Sequence, residues 1–330
     1  MSERQLATVR RIAAVDPIPG ADAIEVATVT GWKVVIKKGE FVPGDLAVYC
    51  EIDSFLPICP EYEFLRKSSL RRMGGLEGFR LKTIRLRGQV SQGLLIPAPQ
   101  DASEGDDVTE QLGIIKYEPP IPASLAGRAR GPWPPVPKTD EERIQNLPEM
   151  LASEHSFYVT EKLDGSSATY VLNRENFFVC SRNLNLVEDA ENTFWRIARE
   201  LNLEEKMRAH GGNFAVQGEL IGPGVQGNRY KLAKNEVRLY SAFNVDTHEY
   251  LPWETLTSLA KELGMETVPL IRQGATVKNF GTIEEFLADA DGPSAIGGAP
   301  REGLVWRAEN TGAKIGFKAI SNAFLLATDS

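Results

Sequence analysis

Residues 21–53 read ADAIEVATVTGWKVVIKKGEFVPGDLAVYCEID, in which polar and β-branched residues alternate. A period of two predicts short strands with one buried face. Gly31-Trp32, Lys38-Gly39 and Pro43-Gly44-Asp45 punctuate them as turns. A second strand pair is expected around residues 79–86 and 93–96. About five short strands within residues 1–100 predict a small barrel. The pattern then dissolves. Eight prolines fall between Pro119 and Pro148, so residues 101–150 read as a linker without long helix or strand. It ends in PKTDEERIQNLPEM, a short helical segment capped by Thr139 or Asp140. Residues 151–330 are mixed. Strands are expected at 155–161, 168–172, 177–181, 213–221, 237–245, 303–307 and 313–318. Phe194, Ile197, Ala198 and Leu201 form a helical stripe that predicts one helix over 190–208. Another is expected over 253–263, with Pro252 at its start and Gly264 past its end.

Composition narrows the class. The 330 residues are 42% hydrophobic and 25% charged, as in a globular protein. No run has the ~18 apolar residues of a membrane span. The start, MSERQLATVRR, has no apolar segment after its charges. Cys50, Cys59 and Cys180 are too few for a disulfide framework, and three histidines leave little for a zinc centre. The expectation is a cytoplasmic monomer with no membrane association. Net charge is −8, but residues 66–87 carry eight basic side chains against one acid, Glu77. Local fields steer a polyanion more than net charge does. Within this stretch Arg80, Lys82, Arg85 and Arg87 interleave with Phe79, Leu81, Ile84 and Leu86 and are the candidate nucleic-acid contacts. Strict alternation sets Arg80 and Lys82 opposite Arg85 and Arg87, so using all four needs a bulge or a bend.

The centre of the chemistry is TEKLDG, residues 160–165. Phe157, Val159 and Glu161 are expected on one side of the incoming strand, with Tyr158, Thr160 and Lys162 on the other. Lys162 then sits where the strand gives way to a turn closed by Gly165. K-x-D-G alone is weak, and its plain reading is a salt-bridged turn lysine. Downstream, in order, come Cys180-Ser181-Arg182-Asn183, Phe214 to Leu220 around Glu219, Leu239 to Val245 containing Phe243, Glu302-Gly303-Leu304-Val305, and Lys314 to Lys318.

This ordered set resembles the motifs of the covalent nucleotidyltransferases, which include DNA ligases, RNA ligases and mRNA capping enzymes. The strings GELIGPGVQGN and FKAISNAFLL, and Ser167 where DNA ligases usually carry arginine, resemble the ATP-dependent RNA ligases. VDPIPGADAIEVATVTGW resembles the N-terminal OB domain of one branch. The resemblance implies an α+β, two-domain chain. An N-terminal OB-type β-barrel, residues 1–100, precedes a mixed α/β, ATP-grasp-like nucleotidyltransferase domain of antiparallel sheets, residues 151–330. It implies sealing of 3′-OH and 5′-phosphate RNA ends at nicks, with ATP and magnesium or manganese. Lys162 is the implied nucleophile. The implied nucleotide contacts are Glu161, Arg182, Glu219, Phe243 (stacking on the purine), Glu302, Lys314 and Lys318. Glu302 and Glu219 are the implied metal contacts, partly through water. Ile320 stands where some RNA ligases have a second lysine, and Lys314 is the alternative source. A DNA ligase or guanylyltransferase on the same core, or a non-catalytic RNA-binding protein, stays open.

Gly222-Pro223-Gly224-Val225-Gln226-Gly227 also matches the dinucleotide fingerprint G-x-G-x-x-G. No apolar helix follows it, so a surface loop near RNA or nucleotide is expected.

Overall fold

The computed structural model describes residues 4–328. The chain divides into two compact units, the first running to Pro120 and the second covering residues 121–324.

The first unit carries a five-stranded antiparallel sheet. Ala7–Pro17 pairs with Leu46–Cys50 on one side and Ile24–Val29 on the other, and Leu94–Pro97 and Trp32–Lys37 form the edges. Strands Ser54–Pro57, Leu70–Met73 and Leu76–Arg80 build a second sheet. The alternation seen in the sequence buries Val26, Val34 and Ile36, one residue in two. This unit is an OB-fold. It extends past residue 100: Val9 N–H donates to the Asp106 carbonyl (2.9 Å), Val108 N–H to Ala7 (2.9 Å), and Ile115 pairs with Phe55. These residues therefore complete a sheet edge and are not linker.

Residues 121–152 belong to the second unit. Leu125 and Val136 are buried, Ala129–Gly131 pairs with Asn185–Leu186, and Gln217 Nε2 donates to the Pro137 carbonyl (2.8 Å). Proline removes local regularity, but here the side chains supply long-range anchors, making a strap. No helix starts at Thr139 or Asp140. The first 3-10 turn is Ile144–Asn146, and it has no side-chain cap.

Two sheets make up the second unit. The larger one is centred on Ser166–Asn173, Phe214–Ile221 and Glu236–Asn244, with Asn176–Cys180 beside them. One of its faces, with Ala168, Tyr170, Val216, Leu239 and Ala242, joins a core with helices Thr193–Glu200, Leu203–His210 and Trp253–Leu263. The smaller sheet orders Leu270–Ala275, Phe157–Lys162, Gly303–Ala308 and Gly316–Ile320. Phe157 and Val159 face a core with Phe286, Trp306 and Phe317, as alternation in the sequence predicts.

The helix expected over 190–208 is broken in two. Asn202 adopts a left-handed conformation (φ 51°, ψ 43°) between Thr193–Glu200 and Leu203–His210. Asparagine tolerates that region better than most residues. At the start of the first piece, Asn192 Oδ1 accepts from Phe194 N–H (3.1 Å), while its Nδ2 donates to the strap at Ala126 (3.0 Å). Asn192→Ala removes both, and we expect a loss of about 1–2 kcal/mol, read as a lower urea midpoint with unchanged slope.

Candidate active site

Lys162 ends the strand Phe157–Lys162, opposite Gly303 in the ladder. A Cβ at Gly303 would lie 2.2 Å from the Ala319 carbonyl, so the position beside the lysine carries no side chain. The turn that follows is pressed against the larger sheet: a Cβ at Gly165 would stand 2.3 Å from the Leu220 carbonyl. That close approach explains the glycine of K-x-D-G. It also draws the turn alongside the strand that carries Glu219, where Ser167 is the register partner of Glu219.

The Lys162 ammonium lies 2.8 Å from Glu302 Oε1 and 2.9 Å from Oε2. Burial lowers its proton affinity, but Glu302, then Glu219 and Asp164, overcome that and hold it above its ordinary value. The carboxylates show the converse. Burial pushes Glu219 up to about 8, with Lys162 opposing and Glu302 and Asp164 adding. Burial likewise raises Glu302, against the pull of Lys162. Asp164 is turned aside: its Oδ2 accepts from Arg229 Nη1 (2.8 Å), and its N–H donates to the Tyr230 hydroxyl (2.7 Å). Both partners come from the loop that carries the glycine-rich string. Gly222 there has φ 122°, and only a 3-10 turn, Gln226–Asn228, follows. The loop braces the Lys162 turn.

A second group is cationic. Lys318, on Gly316–Ile320, donates to Asp140 Oδ1 (2.7 Å), Arg182 Nη2 lies 3.4 Å from Asp140 Oδ2, and Lys314 donates to the Asp140 carbonyl (2.6 Å). Burial pushes Lys318 down to about 8, opposed by Asp140 and reinforced by Arg143 and Lys162. Two lysines of one sheet are thus shifted in opposite directions.

Other candidates separate. Glu161 is buried and accepts from the Ala295 N–H (2.8 Å), while its Oε1 has no hydrogen-bond partner among the described residues. Phe243 is buried among Val136, Val171, Ala215 and Val245 and packs edge-on to Tyr250. The aromatic that reaches the site is Tyr240, whose hydroxyl meets Thr139 Oγ1 (2.7 Å) and Ser167 Oγ (3.1 Å). A bulge explains this: the register shifts between Gln217 and Gly218, so Gln217 pairs with Ser241 and Gly218 with Leu239. The extra residue is Tyr240, and bulges re-aim side chains in this way. In the first unit, Arg80 is paired with Asp53 (2.8 Å) and lies over the Tyr117 ring. Arg85 and Arg87 are exposed on a separate hairpin, Thr83–Leu86 with Gln89–Gln92, and Arg87 turns its tip with φ 51°. The chain breaks between the two strands at Leu81 and Lys82, so the four residues do not form one row.

Among the described residues, no three His, Cys, Asp or Glu side chains form a group able to hold a metal by themselves. Glu219 and Glu302 still fit one. Burial holds both carboxylates above their ordinary values even with Lys162 beside them, and their oxygens suit a hard cation that keeps water or phosphate as its other ligands.

Comparison with known proteins bears on this arrangement. A family model described as an OB-fold domain matches residues 6–98, and one described as RNA ligase matches residues 155–320. Naegleria gruberi RNA ligase, solved with pyrophosphate, is 43% identical, with 98% of each chain covered and a TM-score of 0.92. A variant of it, solved with ATP and Mn, is 40% identical over 98% of this chain and 100% of that one, at a TM-score of 0.90. This chain belongs to the RNA ligase family. A further variant of that ligase, with AMP and Mn, matches at 42% identity over 98% of each chain and a TM-score of 0.89. No curated protein sequence matches. Domain order agrees with the branch that carries its OB domain first.

The opposite lysine shifts give a test of the ligase's empty state. Lys318 falls from 10.5 to about 8 on folding. A lysine with a depressed folded value contributes its stability above the unfolded value and loses it as pH falls through the folded one. Native stability should therefore rise, relative to Lys318→Met, as pH goes from 8 to 10.5. Urea unfolding of both proteins at pH 7.5 and 10 measures this, and a constant difference contradicts the buried, depressed lysine.

Proposed function

We propose that this RNA ligase is ATP-dependent and seals 3′-OH and 5′-phosphate RNA ends at nicks, through lysyl–AMP and RNA–adenylate. The observation that carries the reading is Lys162 at a strand end, ringed by Glu302, Glu219 and Asp164, with Lys318 and Arg182 nearby. In the first step Lys162 Nζ attacks the α-phosphorus of ATP, an N–P bond forms, and pyrophosphate leaves with the bridging electrons. A free lysine is only about 0.04% neutral at pH 7, so the step waits on loss of the Nζ proton, which the ion pair to Glu302 (2.8 Å) opposes until the carboxylate charge is taken up by a cation. Glu302 and Glu219 would hold a divalent cation, magnesium or manganese, which would supply charge to neutralise these carboxylates and the α-phosphate. Lys318, Lys314 and Arg182 offset charge on the phosphates. Glu219 reads the ribose, and the buried Glu161 Oε1 is open to a donor such as the adenine amine. The RNA 5′-phosphate then displaces lysine from the AMP. The 3′-OH attacks the activated 5′ end, releasing AMP.

Arg85 and Arg87 on the exposed hairpin suit RNA phosphates better than Arg80, which is already ion-paired. The three cysteines are unpaired, which supports the cytoplasm as working compartment. A DNA ligase or guanylyltransferase is the runner-up, and GTP against ATP, with RNA against DNA nicks, separates them.

Incubation with ATP and manganese should add one AMP to the intact mass of the native protein, and none to Lys162→Ala. Labelling of that variant contradicts the nucleophile. Glu302→Ala and Glu219→Ala should lower labelling at least about tenfold, equivalent to about 1.4 kcal/mol, with circular dichroism unchanged. Loss that tracks unfolding contradicts the metal and ribose roles.

The two aromatics should part. Tyr240→Ala should raise the ATP concentration for half-maximal labelling by about tenfold or more, a stacking loss of about 1–3 kcal/mol, with little change in melting. Phe243→Leu should lower the melting temperature and leave that concentration near native. The reverse pattern restores Phe243 as the stacking residue.

A further inference from the structure

While Lys314 also faces Glu141 Oε2 at 3.6 Å, Asp140 is the residue whose carboxylate spans two cations of the phosphate side. Its Oδ1 accepts from Lys318 at 2.7 Å and its Oδ2 faces Arg182 at 3.4 Å, while its carbonyl takes Lys314 at 2.6 Å. One carboxylate spanning two cations presents oxygens as two non-bridging oxygens of a phosphate do. The two sides of this contact differ in freedom. The Lys318 side chain is 11% exposed and rides on a strand of the smaller sheet, with Val305 and Thr160 beside it in the ladder. The Asp140 side chain is 56% exposed and sits on the irregular strap. Lys318 is fixed on its strand, whereas the side chains of Asp140 and Arg182 are about half exposed and have room to rotate, although the strap backbone beside Asp140 is tied to Lys318 N–H through the Glu142 carbonyl (2.8 Å). Thr139, next to Asp140, meets the Tyr240 hydroxyl at 2.7 Å, so the strap touches both the aromatic and the phosphate side of the site.

We propose that Asp140 is a stand-in anion: in the empty ligase its carboxylate occupies the place of a substrate phosphate, and a polyphosphate must displace it to bind. The inference rests on the reading that Lys318 and Arg182 receive phosphate. Occupancy by Asp140 keeps Lys318 paired while no substrate is present and lowers apparent affinity by the fraction of molecules in which the site is open. It also favours ligands that bring two or more negative charges over those that bring one.

The test is calorimetric titration of pyrophosphate with magnesium into the full-length native protein, Asp140→Asn and Asp140→Ser, with the pyrophosphate-induced melting shift as a second readout. The variants should bind pyrophosphate about tenfold tighter, as for a site open in about one molecule in ten, and show a larger melting shift even where their ligand-free melting is lower. Equal or weaker binding by both variants overturns the stand-in role and makes Asp140 a support for the cations. Gain of one AMP by the native protein on incubation with ATP and manganese separates the two layers. If that adduct forms and the variants bind no tighter, the stand-in inference alone fails. If the native protein neither binds pyrophosphate nor forms the adduct, the phosphate reading itself fails and takes the inference with it.

Discussion

The ion pair between Lys162 and Glu302 is the constraint on which the rest of the site depends. Burial alone makes a lysine a weaker base, which suits a nucleophile. Here the field of three carboxylates wins. Burial is the largest single influence on Lys162, and it takes Glu302, Glu219 and Asp164 together to outweigh it. Without ligand, Lys162 is therefore held as an ammonium. On the proposed mechanism, its reactivity waits on whatever takes the negative charge from Glu302 and Glu219 as phosphate arrives.

The fold supplies this arrangement through close backbone approaches and not through loops alone. Gly165 presses the lysine turn against the strand of Glu219, and Gly303 leaves the position beside Lys162 bare. Arg229 and Tyr230 draw Asp164 aside, leaving Glu302 as the carboxylate that touches the amine. On the neighbouring strand, Lys318 answers to burial and to other cations and shifts the other way. One sheet thus holds two lysines shifted in opposite directions, which suits the proposed roles of Lys162 as nucleophile and Lys318 as phosphate contact.

Much of this was legible in the sequence, for physical reasons. Alternation over 157–162 places Lys162 and Glu161 on opposite faces, and the structure agrees, with Glu161 turned to Ala295. The helix Trp253–Leu263 ends at a left-handed Gly264, as its glycine implies. Three features were not legible. The bulge at Tyr240 breaks the period of two, and its one marker, Gly218 on the partner strand, does not show which aromatic is re-aimed, so Phe243 reads as equivalent. The strap of 121–152 has no periodicity because its anchors, Leu125, Val136 and Pro137, are satisfied by distant partners. The cap expected from Thr139 or Asp140 is absent because both side chains are engaged by the site. In each case a long-range contact overrode a local preference.

The claim that Lys162 is held charged until substrate and metal arrive is tested most directly by its own titration. Lysine labelled with ¹³C at Cε, assigned by comparison with Lys162→Arg, reports the protonation of Nζ by nuclear magnetic resonance. In the free protein the Lys162 signal should stay that of an ammonium beyond the midpoint of an ordinary lysine, about 10.4. With magnesium and a non-hydrolysable ATP analogue its midpoint should fall below that value. A Lys162 already neutral near pH 8 in the free protein, or one unmoved by the analogue and metal, contradicts the account.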